Sequence, residues 1–134
     1  MNIAESHNRK GDHTAALERY TDAYRLQRAV LGATNPKVAF TLSYVANTSF
    51  RLGHFMNALD AYQEVLQIRR DAPGDNYVEV ATTLNSIGLV LFRQGYYKLA
   101  IERFEESLRL RQQYLGDQHR DVAVALYNMP PPYL

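Results

Sequence analysis

Cysteine, net charge and long apolar runs are the features that this sequence lacks. There is no cysteine among its 134 residues, which excludes disulfide bonds, cysteine-bound zinc, iron–sulfur clusters and thiol catalysis, and fits a reducing compartment. The 15 Lys and Arg residues balance the 14 Asp and Glu residues to a net charge of +1, so no charge excess favours nucleic acid or an anionic membrane. Apolar stretches such as residues 87–92 are far shorter than the roughly 20 residues of a membrane-spanning helix. We therefore expect a cytoplasmic protein that binds neither nucleic acid nor membrane.

Motifs for catalysis and metal binding are also missing. The four histidines do not pair at the helical spacing of three or four residues that metal sites use; they are His7, His13, His54 and His119. The sequence contains no glycine-rich phosphate loop and no Gly-x-Ser-x-Gly nucleophile elbow. We therefore expect a protein that is not an enzyme and that uses no metal and no cofactor.

Seven glycines are an ordinary number for 134 residues, yet six of them recur with a period of 42 residues. They form two series: Gly11, Gly53 and Gly95, and Gly32, Gly74 and Gly116. When the chain is compared with itself at a shift of 42, 24 of the 92 residue pairs are identical, whereas unrelated sequences would give roughly one in fifteen. The chain is therefore a threefold tandem repeat.

Each repeat is predicted to contain two helices. After each glycine of the first series, apolar and small residues recur at intervals of three and four, which predicts an amphipathic helix of about five turns. In the first repeat these residues are Ala16, Leu17, Tyr20, Ala23, Tyr24, Val30 and Leu31. Glycine readily adopts the left-handed conformation that ends a helix, so we expect the glycines of both series to be helix stops.

Further signals refine these helices. Asn35 before Pro36 predicts an N-cap followed by a first-turn proline, and Asn76 with Glu79 has the spacing of a capping box. Gly88, the seventh glycine, is expected to let a neighbouring helix approach closely. Four aromatic residues are expected in the core: Tyr20, Tyr62 and Phe104 at equivalent repeat positions, and Tyr24 four residues after Tyr20.

No segment alternates with a period of two, so the sequence predicts an all-α protein. Helix pairs in tandem cannot bury their apolar faces alone and stack into an α-solenoid. We expect one such domain over residues 1–134, with repeats at 11–52, 53–94 and 95–129. A partial helix is expected at residues 1–10, and residues 130–134 form a proline-rich tail.

Two segments resemble the tetratricopeptide repeat. These are Gly53-His-Phe55-Met-Asn-Ala58-Leu59 through Tyr62, and Gly95-Tyr-Tyr97-Lys-Leu-Ala100-Ile101 through Phe104. The 42-residue period and the segment from Leu31 to Leu42 are similar to the longer repeats of kinesin light chains. The resemblance implies a right-handed superhelix of antiparallel helix pairs with a groove that binds peptides of partner proteins. The groove is formed by the first helix of each pair in the family, which here is the helix that precedes a glycine of the first series.

By position, the resemblance assigns twelve residues to the wall of this groove. They are Phe40, Ser43, Tyr44, Asn47, Phe50 and Arg51 from one helix, and Thr82, Asn85, Ser86, Leu89, Phe92 and Arg93 from another. The amides of Asn47 and Asn85 can donate to and accept from a peptide backbone. The alternative is that these residues form a solvated polar helix face.

Three arginines, Arg9, Arg51 and Arg93, each precede a glycine of the first series by two residues. Arginine binds carboxylates through its planar fork, which favours an acidic peptide as the ligand. The alternative is that a cation in the last helical turn interacts favourably with the helix dipole by about 0.3–1 kcal/mol.

The functional prediction is a protein–protein interaction scaffold or adaptor that binds a peptide in its groove, of the kind found in kinesin light chain cargo adaptors. On that resemblance the cytoplasmic protein would associate with the cytoskeleton. The alternative is a self-association module that forms homo-oligomers, because the ends of a solenoid leave apolar surface exposed.

Overall fold

A computed structural model of the protein describes residues 9–115, and five helices lie in that range. They are α1 (Arg9–Leu31), α2 (Pro36–Arg51), α3 (Phe55–Asp71), α4 (Tyr77–Arg93) and α5 (Tyr97–Leu115). Residues 9–115 contain no strand, and the tandem helix pairs confirm the predicted all-α solenoid class. The predictions for Gly116, the partial helix before residue 9 and the proline-rich tail lie outside the described residues.

The chain divides into two compact units, which meet in sequence between Ala72 and Pro73. In the first unit, α2 packs against both α1 and α3. The buried side chains of α2 recur every three or four residues, as in an amphipathic helix. They include Val38, Ala39, Leu42 and Ala46, and the core residues of α3 include Ala58, Tyr62, Val65 and Leu66.

In the second unit α4 packs against α5. Phe104 of α5 is only 1% exposed. A Cβ atom added to Gly88 of α4 would lie 2.6 Å from Cε1 of the Phe104 ring. The prediction that Gly88 permits close packing of a neighbouring helix is therefore confirmed. The Ser107 hydroxyl donates a hydrogen bond to the Ala81 carbonyl at 2.8 Å, which adds a buried polar link between the two helices.

The turns after α2 and α4 use glycine in the predicted way. Gly53 and Gly95 have φ values of +80° and +88°, a backbone conformation that residues with a Cβ atom disfavour. The residue after each glycine donates its N–H to a carbonyl five residues back, a Schellman arrangement. A pair of aromatic rings spans each turn: Phe50 with Phe55 at 5.7 Å, and Phe92 with Tyr97 at 5.1 Å.

The prediction of a helix stop at Gly11 is wrong, because α1 is continuous from Arg9 through this residue. Consequently Arg9 does not occupy the last turn before a break, as Arg51 does. The physical difference is the missing ring pair: Asn8 and His13 stand at the positions of the two aromatic residues. A glycine inside a helix costs only about 1 kcal/mol relative to alanine, so glycine alone does not force a turn.

The two predicted N-caps differ. The Asn35 side chain accepts a hydrogen bond from the Lys37 backbone N–H at 2.9 Å, and Pro36 begins α2, as predicted. Asn76 also occupies an N-cap position, but its side chain makes no capping hydrogen bond. Its backbone, at φ −124° and ψ 28°, lies outside the extended conformation in which a cap side chain reaches the next turn.

The predicted apolar face of α1 is only partly buried. Ala16 is in the core, whereas Ala23, Val30 and Leu31 are exposed. Of the four aromatic residues expected in the core, only two are buried, because both on α1 are half-buried. In the described part of the chain α1 packs extensively on one helix, α2. The apolar residues of α1 are numerous enough to contact two neighbouring helices, so only some of them are buried.

Candidate peptide-binding surface

One side of α2 presents the six residues that the sequence assigned to a groove wall, here called the α2 face. Each is exposed or half-buried: Phe40, Ser43, Tyr44, Asn47, Phe50 and Arg51. The other side of the same helix carries the core residues of the first unit. The 3.6-residue period of the helix separates the two sets, which is why the sequence pattern could locate the outward side.

Aromatic rings dominate the N-terminal half of the α2 face. Phe40 is 57% and Tyr44 41% exposed, and their rings meet edge to face at 5.3 Å. The Tyr20 ring of α1 stacks on Tyr44 at 5.2 Å with an interplanar angle of 25°. Tyr20, Phe40 and Tyr44 are called the aromatic cluster below. Tyr20, which was predicted to lie in the core, is instead half-buried beside the α2 face.

Two polar groups of the α2 face are already engaged within the protein. The Asn47 side-chain oxygen accepts a hydrogen bond from the Tyr62 hydroxyl of α3. The Ser43 hydroxyl donates to the Phe40 carbonyl at 2.6 Å, within α2 itself. The first bond orients the Asn47 amide and leaves its nitrogen as the group with donors for a peptide carbonyl. Asn47 is thus suited to the donor part of the role that the sequence predicts for it.

The corresponding side of α4, here called the α4 face, lies in the second unit. Its residues are again exposed or half-buried: Thr82, Asn85, Ser86, Leu89, Phe92 and Arg93. The α4 face has no counterpart of the aromatic cluster, because Thr82 and Ser86 stand at the repeat positions of Phe40 and Tyr44. Its core side buries residues such as Leu84 and Ile87.

A polar link between α1 and α3 lies close in sequence to the aromatic cluster. The Tyr24 hydroxyl donates a hydrogen bond to the Glu64 carboxylate at 2.8 Å. Burial raises the pKa of the Tyr24 phenol above its ordinary value of 10.0, and the Glu64 carboxylate raises it further. The nearby Arg28 acts in the opposite direction, because a cation favours the phenolate. At neutral pH Tyr24 is therefore an uncharged donor.

Residues 9–115 contain no group of three or more histidine and acidic side chains placed to bind a metal ion. Within the same range no helix combines the length and the apolar character required to cross a membrane.

Comparison with known proteins identifies the repeat class. A family model described as tetratricopeptide repeat matches residues 1–71, 38–113 and 79–129. A search of curated proteins found no significant match. The kinesin light chain type therefore stays a prediction. The overlapping family matches extend through all five helices, and with the tandem helix pairs they show that the chain belongs to the tetratricopeptide repeat family.

Proposed function

We propose that this protein is an interaction scaffold or adaptor that binds peptide segments of partner proteins, and that the α2 face and the α4 face each provide a binding surface. Tetratricopeptide repeats generally mediate protein–protein interaction. The observation that carries the proposal is that none of the twelve residues assigned to these faces is buried. Both faces are therefore accessible, while the opposite sides of α2 and α4 hold the core that keeps them rigid.

The charge at the C-terminal end of each face supports an acidic ligand. Arg51 and Arg93 are exposed and lie in the last turns of α2 and α4. A guanidinium group can make paired, charge-assisted hydrogen bonds to a carboxylate. The same location also suits the helix dipole, so an experiment must separate ligand binding from helix stabilisation.

The cellular role that best matches the 42-residue period is that of a cytoplasmic adaptor of the kinesin light chain kind, which links a cargo protein to the cytoskeleton. Long helices and the repeat spacing support this part of the proposal. Residues 9–115 show the helical framework that such a role requires, and the cargo would be recognised through an acidic segment.

Charge reversal tests the proposal. Fluorescence anisotropy measures the binding of a labelled acidic peptide to the wild type and to the double variant R51E/R93E. We expect the variant to bind at least about tenfold more weakly, because a hydrogen bond to a charged group contributes about 1.5–3 kcal/mol. The matched control is R70E, since Arg70 is also an exposed arginine in a last helical turn but lies on α3. Equal affinities of R51E/R93E and the wild type would contradict the acidic-peptide proposal.

Self-association is the second candidate, favoured by a different observation. Leu26 is 66% and Val30 72% exposed, and their spacing of four places them on one side of α1. Ile68, the repeat equivalent of Leu26, is 6% exposed. An apolar surface that is covered in one repeat and uncovered in another can pair with a second copy of the chain.

A further inference from the structure

The aromatic cluster distinguishes the first unit from the second. The Tyr44 ring contacts the Tyr20 ring at 5.2 Å and the Phe40 ring at 5.3 Å, and Phe40 and Tyr44 remain well exposed. At the equivalent positions α4 carries Thr82 and Ser86. The fold therefore tolerates small polar residues there, so the rings are not required to form the helix. An exposed apolar surface that the fold does not need points to a ligand.

The geometry points to a ligand of specific chemistry: we propose that the α2 face binds an extended peptide in which a proline lies about five residues from an acidic residue. The proline would lie on the aromatic cluster and the carboxylate at Arg51. This inference rests on the proposed function, since it names the peptide class that the α2 face selects.

Proline suits the aromatic cluster for two physical reasons. The cluster offers apolar ring surface, on which a backbone N–H would remain without an acceptor, and proline has no N–H. Proline also holds a peptide in the extended polyproline conformation before binding, which reduces the entropy lost on association. Grooves lined by aromatic side chains recognise proline-containing peptides in this way.

The spacing follows from helix dimensions. Phe40 and Arg51 are eleven residues apart on one helix, which corresponds to about 16 Å at a rise of 1.5 Å per residue. A polyproline-type peptide advances about 3.1 Å per residue, so about five residues cover this distance. Between the two ends lies Asn47, whose amide nitrogen can donate to the carbonyl of an intervening peptide residue.

The test uses fluorescein-labelled synthetic peptides with two prolines and two aspartates separated by about five residues, made in both orders. Companion peptides replace the prolines by alanine, the aspartates by asparagine, or both. The protein variant is F40T/Y44S, which installs the residues found at the equivalent positions of α4. The control is L26T, which removes another exposed apolar side chain, from α1. Far-UV circular dichroism melting checks that each variant is folded, and F40A alone serves if the double variant is not.

We expect one peptide order to bind the wild type, with replacement of its prolines weakening binding about thirtyfold, the loss at which a residue counts as a hot spot. F40T/Y44S should lose this preference for proline over alanine, and L26T should keep it. Equal binding of the proline and alanine peptides to the wild type would overturn the inference, as would an unchanged preference in F40T/Y44S.

The two proposals can fail separately. If aspartate peptides bind regardless of proline, and R51E/R93E abolishes this binding, the proposed function holds and the proline inference is wrong. If none of these peptides binds in either order, both are contradicted.

Discussion

Individual glycines in this protein take different conformations despite their equal spacing. Gly53 and Gly95 have positive φ and end helices, whereas Gly11 lies inside α1. The spacing alone could not separate these cases, because the turn depends on rings that meet across it. The sequence signal that distinguishes Gly11 is His13, which stands where Phe55 and Tyr97 stand in the other two repeats.

Replacement of these glycines by alanine should change stability in opposite directions. Gly53→Ala places a side chain at φ +80° and should lower the free energy of unfolding by about 1–2 kcal/mol. Gly11→Ala should raise it by up to about 1 kcal/mol, because alanine is the better helix former. Urea unfolding followed by circular dichroism measures both. A destabilised Gly11→Ala variant would contradict a continuous α1.

Tyr24 provides a residue-level test of pH dependence. Its folded-state pKa is raised above 10.0, mainly by burial and then by Glu64, so the folded protein holds the phenol proton more tightly than the unfolded chain. The stability from this group is fully present below about pH 10 and is lost as the pH rises through the folded-state pKa.

We therefore expect Tyr24→Phe to flatten the fall of the unfolding free energy at alkaline pH, while costing about 1 kcal/mol at neutral pH through the lost hydrogen bond. Glu64→Gln keeps an acceptor but removes the charge, so it should remove only part of the alkaline slope. Urea melts at a series of pH values provide the measurement. Equal alkaline slopes for the wild type and Tyr24→Phe would rule out this role for Tyr24.

At the scale of the helix, capping residues and turn glycines in the sequence predicted several helix ends correctly. Asn35 and Pro36 mark the start of α2, and the glycine turns after α2 and α4 are where the sequence indicates them. Asn76 shows the limit of a motif, because capping requires an extended backbone that residue spacing does not reveal. Which residues of α1 are exposed likewise depends on the helices that pack beside it, and the periodicity of the sequence does not identify those helices.

The packing of α4 on α5 yields a prediction for Gly88. Gly88→Ala gains up to about 1 kcal/mol of helix propensity but forces a methyl group against a buried ring, at a cost of about 1–3 kcal/mol. The ring of Phe104 is enclosed and cannot move away cheaply. We expect a net loss of unfolding free energy of about 1 kcal/mol.

The variant Phe104→Leu provides the matched background for Gly88→Ala. Leucine lacks the Cε1 and Cζ atoms that the added methyl group would overlap, so Gly88→Ala should be less destabilising there. Thermal melting of the wild type, the two single variants and the double variant forms a double-mutant cycle. If Gly88→Ala were equally tolerated in both backgrounds, the close contact would not limit this position.

For the whole molecule, the repeat pattern predicted which sides of α2 and α4 face outward, since core residues occupy the opposite sides. It did not predict the contacts that give the α2 face its character. Stacking of Tyr20 on Tyr44 and the bond from Tyr62 to Asn47 join different helices. Their formation depends on the distances between packed helices, which a single sequence does not encode residue by residue.

Self-association predicts a behaviour of the whole molecule that solution measurements can detect. Multi-angle light scattering over a range of protein concentrations should show dimers if the exposed side of α1 pairs two copies. The variant L26E/V30E should then be monomeric throughout, because buried unpaired carboxylates oppose association. Val78→Glu, at another exposed apolar residue, is the control. A wild type that stays monomeric at all concentrations would eliminate this candidate.

The central claim, that the α2 and α4 faces bind a peptide, is tested most directly by NMR. A protein of 15.4 kDa suits amide chemical-shift mapping during titration with an acidic peptide. The account predicts saturable shifts concentrated on the two faces, with Asn47, Arg51 and Arg93 among the residues most affected. Saturable shifts confined to α1, α3 and α5 would show that the peptide binds elsewhere and would contradict the claim.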